Sequence, residues 1–475
     1  MSEASDAAER HIALGDFEAA EEIAAAALRD APLDAASRLA LATTLAKQLR
    51  FEPAIDHCLD LLHRTDLNRG ARLGAIRVLA CCATQLGEPD MARPHIEAAG
   101  FERASDPVER CWHPRILAKI GATEEAYHAL VALAKDIPGD PFITGILGQT
   151  MQERGDAGGL RLELALMGRA FFQRFFPHAP APERIWEGEH LAGRSIALLP
   201  QGGFGDLFDC IRYARRLKAL GAGRVTAIMG EKCRRLTASA GVDEMVDLSE
   251  ANLAIGRADL WAPVPGLKRV ALSPEGRAVE TGGYLTAPKS TTAEALAQEM
   301  RSRAAGRPCL GLYWHSDRDL GEHKSIPLPA LAPIIARGDV HWVILQRGFG
   351  LRQWRRAEFG AGATLVGDDL SFDETAALMA QLDGVVSICA WAFHLAGALG
   401  LRTWLLAGRV MDCRHLNRER DSVLYADCAS LVRQHRIGDW AGAVTRLNAE
   451  LDAFTLPAAS ARGSSGSSRP GILAG

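Results

Sequence analysis

A glycine-rich segment with a single carboxylate is the first place where this sequence could do chemistry. The segment spans residues 201–206, has the sequence QGGFGD, and directly follows the apolar run 195–200. Glycines let the backbone approach a ligand closely, and the N-terminus of a following helix favours an anion or a carboxylate. Asp206 would be ionised there and could accept a proton from an attacking hydroxyl group. The spacing alone favours a simpler role for Asp206, as the cap of a helix after a tight turn.

A lysine and a helix with one histidine form two further candidate anion sites. Lys324 follows the apolar run 309–314 (CLGLYW) and could hold a diphosphate as a point charge. A solvated surface lysine fits the sequence equally well. His394 lies in the small-residue segment 391–400 (WAFHLAGALG), which predicts a helix whose N-terminus is another anion site. His394 by itself is also compatible with a merely packed helix residue.

Two successive sets of alternating strands and helices must position these candidates. The first set begins at Ser195, and the second begins at residue 309. Such sets predict two doubly wound, Rossmann-like domains, at 186–305 and 306–455, that face each other across a cleft. Ligands of such sheets bind on the loops that leave the carboxyl ends of the strands, which is where all three candidates lie.

Residues 1–155 are rich in alanine, leucine and glutamate and predict helices. A turn pattern recurs with spacings of 34, 38 and 34 residues, at Gly15, Leu49, Gly87 and Gly121. The alanine five residues after each of these positions is predicted to lie at a close helix contact that has no room for a larger side chain. A helix–turn–helix period of 34 residues resembles the tetratricopeptide repeat (TPR), whose stacked units form a solenoid that binds a protein segment. A plain helical bundle is the alternative. Residues 156–185 predict a linker, and the Gly/Ser-rich residues 456–475 predict a disordered tail.

Composition limits the class of partner. Lys and Arg number 54 against 58 for Asp and Glu, a net charge of −4, which argues against nucleic acid or an anionic membrane. The ten cysteines form no CxxC pair, so neither a zinc ribbon nor a disulfide framework is indicated. We see no signal peptide and no apolar run of the roughly 18–20 residues that span a membrane, and therefore expect a cytoplasmic protein without a membrane span.

Many short motifs occur together and in order over residues 186–452. They are Trp186-x-Gly188, the segment 201–206, Gly283-Tyr284-Leu285, Lys324-Ser325, Leu345-Gln346, His394-Leu395-Ala396-Gly397, Asp412-Cys413-Arg414 and Gly438-Asp439-Trp440. With the repeats ahead of them, they resemble bacterial TPR glycosyltransferases, including flagellin glycosyltransferases. The catalytic part of these proteins is similar to the heptosyltransferase family of two-domain GT-B enzymes.

The resemblance implies an inverting, metal-independent transfer from a nucleotide-sugar donor, with no cofactor. Asp206 matches the catalytic base of the family, and Lys324 matches the lysine that steadies the donor phosphates. The expected donor-binding and phosphate-binding residues are Gly203, Gly205, Lys324, Ser325, Gln346, Trp391, His394 and Gly397. The family usually has Asp-Thr-Ala where this chain has Cys389-Ala390-Trp391. Trp391 therefore either blocks the pocket or stacks on a different sugar or base.

The sequence as a whole favours a cytoplasmic glycosyltransferase whose repeats recruit a protein acceptor, with flagellin Ser/Thr residues as the leading candidate. One alternative is a non-catalytic TPR adaptor with a degenerate GT-B scaffold, supported by Cys389-Ala390-Trp391. The other is a lipopolysaccharide-type sugar transferase, which would not need the repeats.

Overall fold

The computed structural model describes residues 3–272, 281–317, 324–357, 359 and 362–461. Over these residues, the chain is helical before residue 185, and parallel strands alternate with helices after it. No helix in this part of the chain combines the length and the apolar character needed to cross a membrane. The expected order of a helical region followed by two α/β units is therefore present.

Helix pairs make up the first region. Within the described residues the pairs are α1 (Glu3–Leu14) with α2 (Phe17–Asp30), α3 (Ala35–Lys47) with α4 (Phe51–Leu62), α5 (Arg69–Leu86) with α6 (Arg93–Ala98), α8 (Trp112–Lys119) with α9 (Thr123–Asp136), and α10 (Pro141–Glu153) with α11 (Gly159–Glu163). A short helix, α7 (Pro107–Arg110), precedes the fourth pair. The first helices of the first four pairs, α1, α3, α5 and α8, contact one another in turn and form one row.

Left-handed turns separate the two helices of each pair. Glycine adopts their positive φ values without the steric cost of a Cβ atom. The turn residues are Gly15 (φ 75°), Leu49 (φ 62°), Gly87 (φ 84°), Gly121 (φ 88°) and Gly155 (φ 91°). Five residues beyond the first four turns stand fully buried alanines: Ala20, Ala54, Ala92 and Ala126. Both periodic positions therefore have the structural role that the sequence predicted, and a further turn follows at Gly155.

The segment 156–185 contains more structure than the predicted linker. It includes α11 and α12 (Arg169–Phe175), and Phe172 of α12 contacts the ring of Trp261 with 5.5 Å between centroids. Gly159 of this segment permits close packing, since a Cβ atom on it would overlap the Gly148 carbonyl oxygen of α10. The prediction of a linker is corrected because the absence of a side chain favours close helix contact as well as a break.

The first α/β unit contains parallel strands in the order β3-β2-β1-β4. The strands are β1 (Ser195–Leu199), β2 (Arg224–Ile228), β3 (Glu244–Val246) and β4 (Leu260–Pro263). The helices that follow the first three strands are α13 (Phe204–Cys210), α14 (Arg234–Ala238) and α15 (Ala251–Arg257). Helix α16 (Thr291–Ala304) leads into the second unit. The order 3-2-1-4 is that of a doubly wound sheet.

The second unit also has the strand order of a doubly wound sheet, β10-β9-β8-β5-β6-β7. Its strands are β5 (Cys309–Tyr313), β6 (His341–Ile344), β7 (Thr364–Leu365), β8 (Gly384–Ser387), β9 (Thr403–Ala407) and β10 (Ala429–Arg433). Its helices are α17 (Ala332–Ile335), α18 (Gly348–Arg356), α19 (Phe372–Met379), α20 (Trp391–Ala398) and α21 (Trp440–Ala461). Helix α21 continues past residue 456, where the sequence placed the start of the tail. Residues 462–475 of that tail lie outside the described residues.

The turns of the helix pairs lie directly against the second α/β unit. A Cβ atom on Gly87 would be 3.1 Å from the carbonyl oxygen of Ile437, and one on Gly155 would be 3.3 Å from that of Leu416. The Gln85 side chain donates a hydrogen bond to the Ser325 carbonyl at 3.1 Å. The helical region is thus packed on the α/β part along its length, and its row of first helices faces that part.

Candidate functional site

The three predicted segments leave the strands at which each sheet reverses its order. In the first sheet β1 lies between β2 and β4, and in the second sheet β5 lies between β6 and β8. Residues 201–206 follow β1, Lys324 lies after β5, and α20 follows β8. The reversal point of a doubly wound sheet leaves a crevice at the carboxyl ends of the strands, where ligands bind. The fold therefore brings the three candidates to the crevices of two facing sheets.

The first turns of α13 and α20 are in contact across the boundary between the two units. A Cβ atom on Gly205 would be 3.0 Å from Cδ2 of His394 and 3.6 Å from the backbone nitrogen of Trp391. Only a residue without a side chain lets the two helices approach this closely. Gly205, Trp391 and His394 are thus assembled at one place.

Asp206 both caps its helix and binds a cation. The Gly203 N–H donates a hydrogen bond to Oδ2 of Asp206 at 2.9 Å, which is the capping contact that the spacing favoured. Nη2 of Arg414 donates to the other oxygen, Oδ1, at 2.8 Å. The Asp206 side chain is still 31% exposed. A substrate can therefore reach the carboxylate even though both of its oxygens have partners.

Asp206 is ionised at neutral pH. Burial raises the pKa of its carboxyl group, but the charge of Arg414 and the Gly203 N–H lower it more, so that the pKa lies below its ordinary value of 3.8. A carboxylate in this state needs no prior deprotonation before it accepts a proton. The Arg414 contact also makes it a weaker base, so release of that contact would strengthen it.

Arg414 joins carboxylates from both α/β units. Arg414 contacts two carboxylates besides that of Asp206. Its Nε lies 2.9 Å from Oδ1 of Asp412, and its Nη1 lies 3.6 Å from Oδ2 of Asp209. Nη2 of Arg212 donates to the other oxygen of Asp209 at 2.8 Å. Buried charges are retained only when paired in this way, and the cluster ties the two units together.

His394 is a neutral, packed residue. Its Nδ1 lies 3.0 Å from the Tyr425 hydroxyl oxygen, and its Nε2 lies 3.8 Å from Sγ of Cys389. Burial, followed by the charge of Arg414, lowers the pKa of His394 to about 3. The imidazole therefore carries no charge with which to bind a phosphate at neutral pH, and any anion site on α20 depends on its backbone.

Lys324 is half-buried beside a very small cavity. The cavity has a volume of about 20 Å³, and its wall includes Cys389, Asp412 and His415. Burial raises the pKa of Asp412, but Arg414, His415 and Lys324 lower it well below its ordinary value. About one water molecule fits a cavity of this size, whereas pockets for small ligands measure roughly 300–1,000 Å³. This cavity is therefore too small for a ligand of nucleotide size.

The Trp391 ring is packed on other side chains of the second α/β unit. Its ring centroid lies 5.2 Å from that of Tyr313 and 5.1 Å from that of Phe372. The Arg347 guanidinium lies over the same ring at 5.3 Å. The two roles expected for Trp391, blocking the pocket or stacking on a ligand, stay predictions.

The three remaining predicted residues, Gln346, Ser325 and Gly397, have structural contacts away from Asp206. The Gln346 side chain accepts hydrogen bonds from the backbone N–H groups of Trp314 and His315 at 3.1 and 3.0 Å. The Ser325 hydroxyl accepts one from the N–H of Ser316 at 3.0 Å. Gly397 lies in the last turn of α20, where a Cβ atom would overlap the Tyr425 ring. These residues shape the loops, and the structure does not bring them to the carboxylate.

The charged cluster around Asp206, formed by Arg414, Asp412, Asp209 and Arg212, was not predicted from the sequence. Arg414 belongs to the motif Asp412-Cys413-Arg414, which was recognised only as part of a resemblance. Asp209 lies in α13 and Arg212 directly after it, where nothing local signals that they are buried. Among the described residues, no group of three or more His, Cys, Asp or Glu side chains is placed to hold a metal ion.

Comparison with known proteins gives structural likenesses only. No family model matches the chain, and no curated protein matches it in sequence. A glycosyl transferase family 9 protein from Veillonella parvula DSM 2008 is 12% identical with a TM-score of 0.40, over 57% of this chain and 100% of that chain. E. coli ADP-heptose LPS heptosyltransferase II is 14% identical with a TM-score of 0.39, over 56% of this chain and 99% of that chain.

A third similar structure also covers the helical region. It is a mutant of the Thermobaculum terrenum O-GlcNAc transferase, 13% identical with a TM-score of 0.30, over 91% of this chain and 94% of that chain. Identities of 12–14% and TM-scores of 0.30–0.40 leave the chemistry of this chain to be argued from its own residues.

Proposed function

We propose that this protein is a glycosyltransferase that moves a sugar from a nucleotide-sugar donor to a protein acceptor. The observation that supports this proposal is the meeting of two sheet crevices at Asp206. The first crevice supplies an ionised, partly exposed carboxylate, and the second supplies the start of α20 and Lys324. A base facing an anion site is the arrangement that transfer from a diphosphate donor requires.

The proposed reaction is a single displacement. The oxygen of the acceptor hydroxyl attacks the anomeric carbon of the sugar while Asp206 takes the hydroxyl proton. The bond from that carbon to the diphosphate oxygen breaks, and its electron pair leaves with the nucleoside diphosphate. Attack opposite the leaving group inverts the anomeric centre. Lys324 and the N-terminus of α20 would stabilise the charge that develops on the diphosphate, so that no metal or cofactor is needed.

Donor binding would require the two α/β units to move apart. The cavity at Lys324 holds about 20 Å³, and Trp391 is packed against Tyr313 and Phe372. Opening would separate α13 from α20 and break the Arg414 contact to Asp206. The carboxylate would then lose the interaction that most lowers its pKa and become a better base. Closure around a ligand is a common step in enzymes built from two units.

The helical repeats are proposed to recruit the protein acceptor, and the protein is proposed to act in the cytoplasm. The row of first helices faces the α/β part, so that an acceptor bound there lies near the crevice. Flagellin is the acceptor to test first, on the resemblance to flagellin glycosyltransferases. A lipopolysaccharide-type acceptor remains the alternative substrate class.

The first experiment is a thermal-shift and calorimetry screen of the full-length protein against UDP-, ADP-, GDP- and CMP-sugars. A ligand that binds the folded state raises the melting temperature. For a donor that binds, Lys324→Ala should weaken affinity about 10- to 100-fold. Lys289→Ala, which removes an exposed lysine, is the matched control and should leave affinity unchanged.

The second experiment measures sugar transfer to purified flagellin by intact-protein mass spectrometry. Asp206→Asn should slow transfer by about 10²–10⁴-fold while donor affinity stays the same, because the amide can still accept the capping hydrogen bond of Gly203 but cannot take the proton. Transfer at a nearly unchanged rate would leave Asp206 with its capping role alone.

A non-catalytic adaptor is the second candidate function. It is favoured by the closed crevice, in which Trp391 is packed on this chain's own rings and Asp206 is paired with Arg414. In an adaptor, no nucleotide sugar in the panel would shift the melting temperature. A single nucleotide-sugar that binds in a Lys324-dependent way would exclude this candidate.

A further inference from the structure

A polar chamber lies between the helix pairs and the candidate base. Its volume is about 350 Å³, and its walls come from α5, α8 and α10 on one side and from residues 412–414 on the other. Arg414 belongs to this wall and also contacts Asp206 at 2.8 Å. One arginine side chain therefore separates the chamber from the carboxylate. The volume suits a side chain with its adjoining backbone rather than a folded domain.

Two arginines meet on one tryptophan ring in this chamber. The guanidinium carbons of Arg77 and Arg115 lie 5.0 and 4.6 Å from the centroid of the Trp112 ring. A guanidinium that lies over a ring uses its face, which leaves the N–H groups in its plane free to donate. Burial lowers the pKa of both groups, and the charge of Arg77 lowers that of Arg115 further. An anion between them would relieve this repulsion.

These two arginines form no ion pair, although Glu153 of the chamber wall acts on Arg115 from a greater distance. In the described part of the chain, neither guanidinium has a carboxylate within ion-pair distance. Eight other arginines of the helical region do pair with a carboxylate: Arg38, Arg50, Arg64, Arg69, Arg93, Arg103, Arg110 and Arg154. Arg77 and Arg115 thus differ from these eight in the one respect that matters for binding an anion.

The acidic residues of the chamber wall already have partners. Glu153 lies 3.4 Å from Nζ of Lys119, and Glu163 accepts a hydrogen bond from Gln152 at 2.8 Å. Asp412 is bound by Arg414 at 2.9 Å. The chamber wall thus carries four cations, Arg77, Arg115, Lys119 and Arg414, against three carboxylates, Glu153, Glu163 and Asp412, and the arginines without an ion pair lie on α5 and α8. Such a surface selects an acidic ligand.

We propose that this chamber binds an acidic side chain of the acceptor polypeptide and so selects acceptors with Asp or Glu near the modified hydroxyl. The inference rests on the proposed function for the identity of the ligand as an acceptor. A polypeptide fits better than a small anion because the chamber adjoins the candidate base through Arg414. Anchoring the acidic side chain would hold the neighbouring hydroxyl close to Asp206, which raises its effective concentration there.

The test uses full-length protein and two fluorescein-labelled, twelve-residue peptides that repeat Asp-Ser-Gly or Asn-Ser-Gly. Fluorescence anisotropy should show the Asp peptide binding about ten times more tightly than the Asn peptide, as expected for charge-assisted hydrogen bonds. Arg77→Gln and Arg115→Gln should each weaken binding of the Asp peptide about tenfold. Arg103→Gln is the matched control, because its side chain is 84% exposed outside the chamber. It should leave the affinity unchanged.

Further variants and probes make the result decisive. Arg115→Lys retains the charge and should retain most of the affinity even if Arg115→Gln disturbs the packing on Trp112. Equal affinity for the two peptides, or an equal loss in Arg103→Gln, would overturn the proposal. Tighter binding of a labelled single-stranded oligonucleotide at the same arginines would overturn it in favour of nucleic acid. Because no donor is present, the outcome is independent of whether the protein transfers sugar.

Discussion

The buried carboxylate of Asp209 should be a major source of stability at neutral pH. Burial raises the pKa of its carboxyl group, but Arg212, Lys268 and Arg414 are among the cations that lower it, to about 2 from an ordinary value of 3.8. A carboxyl group with this difference in pKa between the folded and unfolded chain stabilises the fold by about 2–3 kcal/mol. Its side chain is 3% exposed, so solvent screens the interaction little.

The replacement Asp209→Asn removes this contribution and leaves a buried cation behind. Arg212 would keep its hydrogen bonds to the carbonyl oxygens of residue 209 and Leu424, both at 2.7 Å, but would lose its carboxylate. Removing one partner of a buried ion pair costs about 3–5 kcal/mol. The free energy of unfolding should therefore fall by about 2–5 kcal/mol at pH 7.

The assay is urea unfolding followed by tryptophan fluorescence at pH 7, 5, 4 and 3. Because the pKa of Asp209 is lowered in the folded state, its contribution is complete above about pH 4 and is lost as the pH falls towards 2. The difference between wild type and Asp209→Asn should stay constant from pH 7 to 5 and narrow at pH 3. The exposed Asp56→Asn is the control. A difference below about 0.5 kcal/mol at pH 7, or one that widens towards pH 3, would refute the reasoning.

Two further predictions concern contacts between parts of the chain. In Arg414→Gln, the acidic limb of the pH profile of kcat/KM, which reports the donor-free enzyme, should move to higher pH. The reason is that the cation no longer holds down the pKa of Asp206 against the effect of burial. An unmoved limb would mean that Asp206 does not control that limb. Gly438→Ala should lower the free energy of unfolding by about 1–3 kcal/mol more than Gly139→Ala in urea titrations. Both glycines have a φ of 79°, but a Cβ atom on Gly438 would lie 2.6 Å from the backbone nitrogen of Gly87, whereas one on Gly139 would meet nothing within 4 Å. Equal losses would show that the backbone strain, and not the contact, is responsible.

The parts of the fold that the sequence predicted are those with a strong local signal. The helix pairs were predicted from turns that need a positive φ and alanines that must be buried, as at Gly15 and Ala20. Strands β1 and β5 were predicted from the apolar runs 195–200 and 309–314, whose central residues are buried. Strand β3 was missed because its three residues are only half-buried and give no such run. Its place in the sheet depends on pairing with β2.

The candidate site was predictable only as far as its loops. The position of Asp206 follows from a strand, a glycine-rich turn and a helix that are adjacent in sequence. Its contact with Arg414 joins residues 208 positions apart, and no local pattern encodes it. The ring contacts of Trp391 with Tyr313 and Phe372 likewise join residues far apart in the sequence. The charges and contacts at the site are therefore properties of the packed molecule and not of any segment.

The row of repeat turns against the second α/β unit fixes the number of repeats. Arrays of repeats usually gain and lose units freely, because each unit contacts only its neighbours. Here Gly15 meets Asp317, Gly87 meets Ile437, and Gly155 meets Leu416. Inserting one helix pair in the middle would move every later turn away from its partner by a whole unit. Growth of the array by duplication is thus confined to the end before α1. Between α1 and α11 the number of helix pairs is set by the contacts of their turns with the second α/β unit.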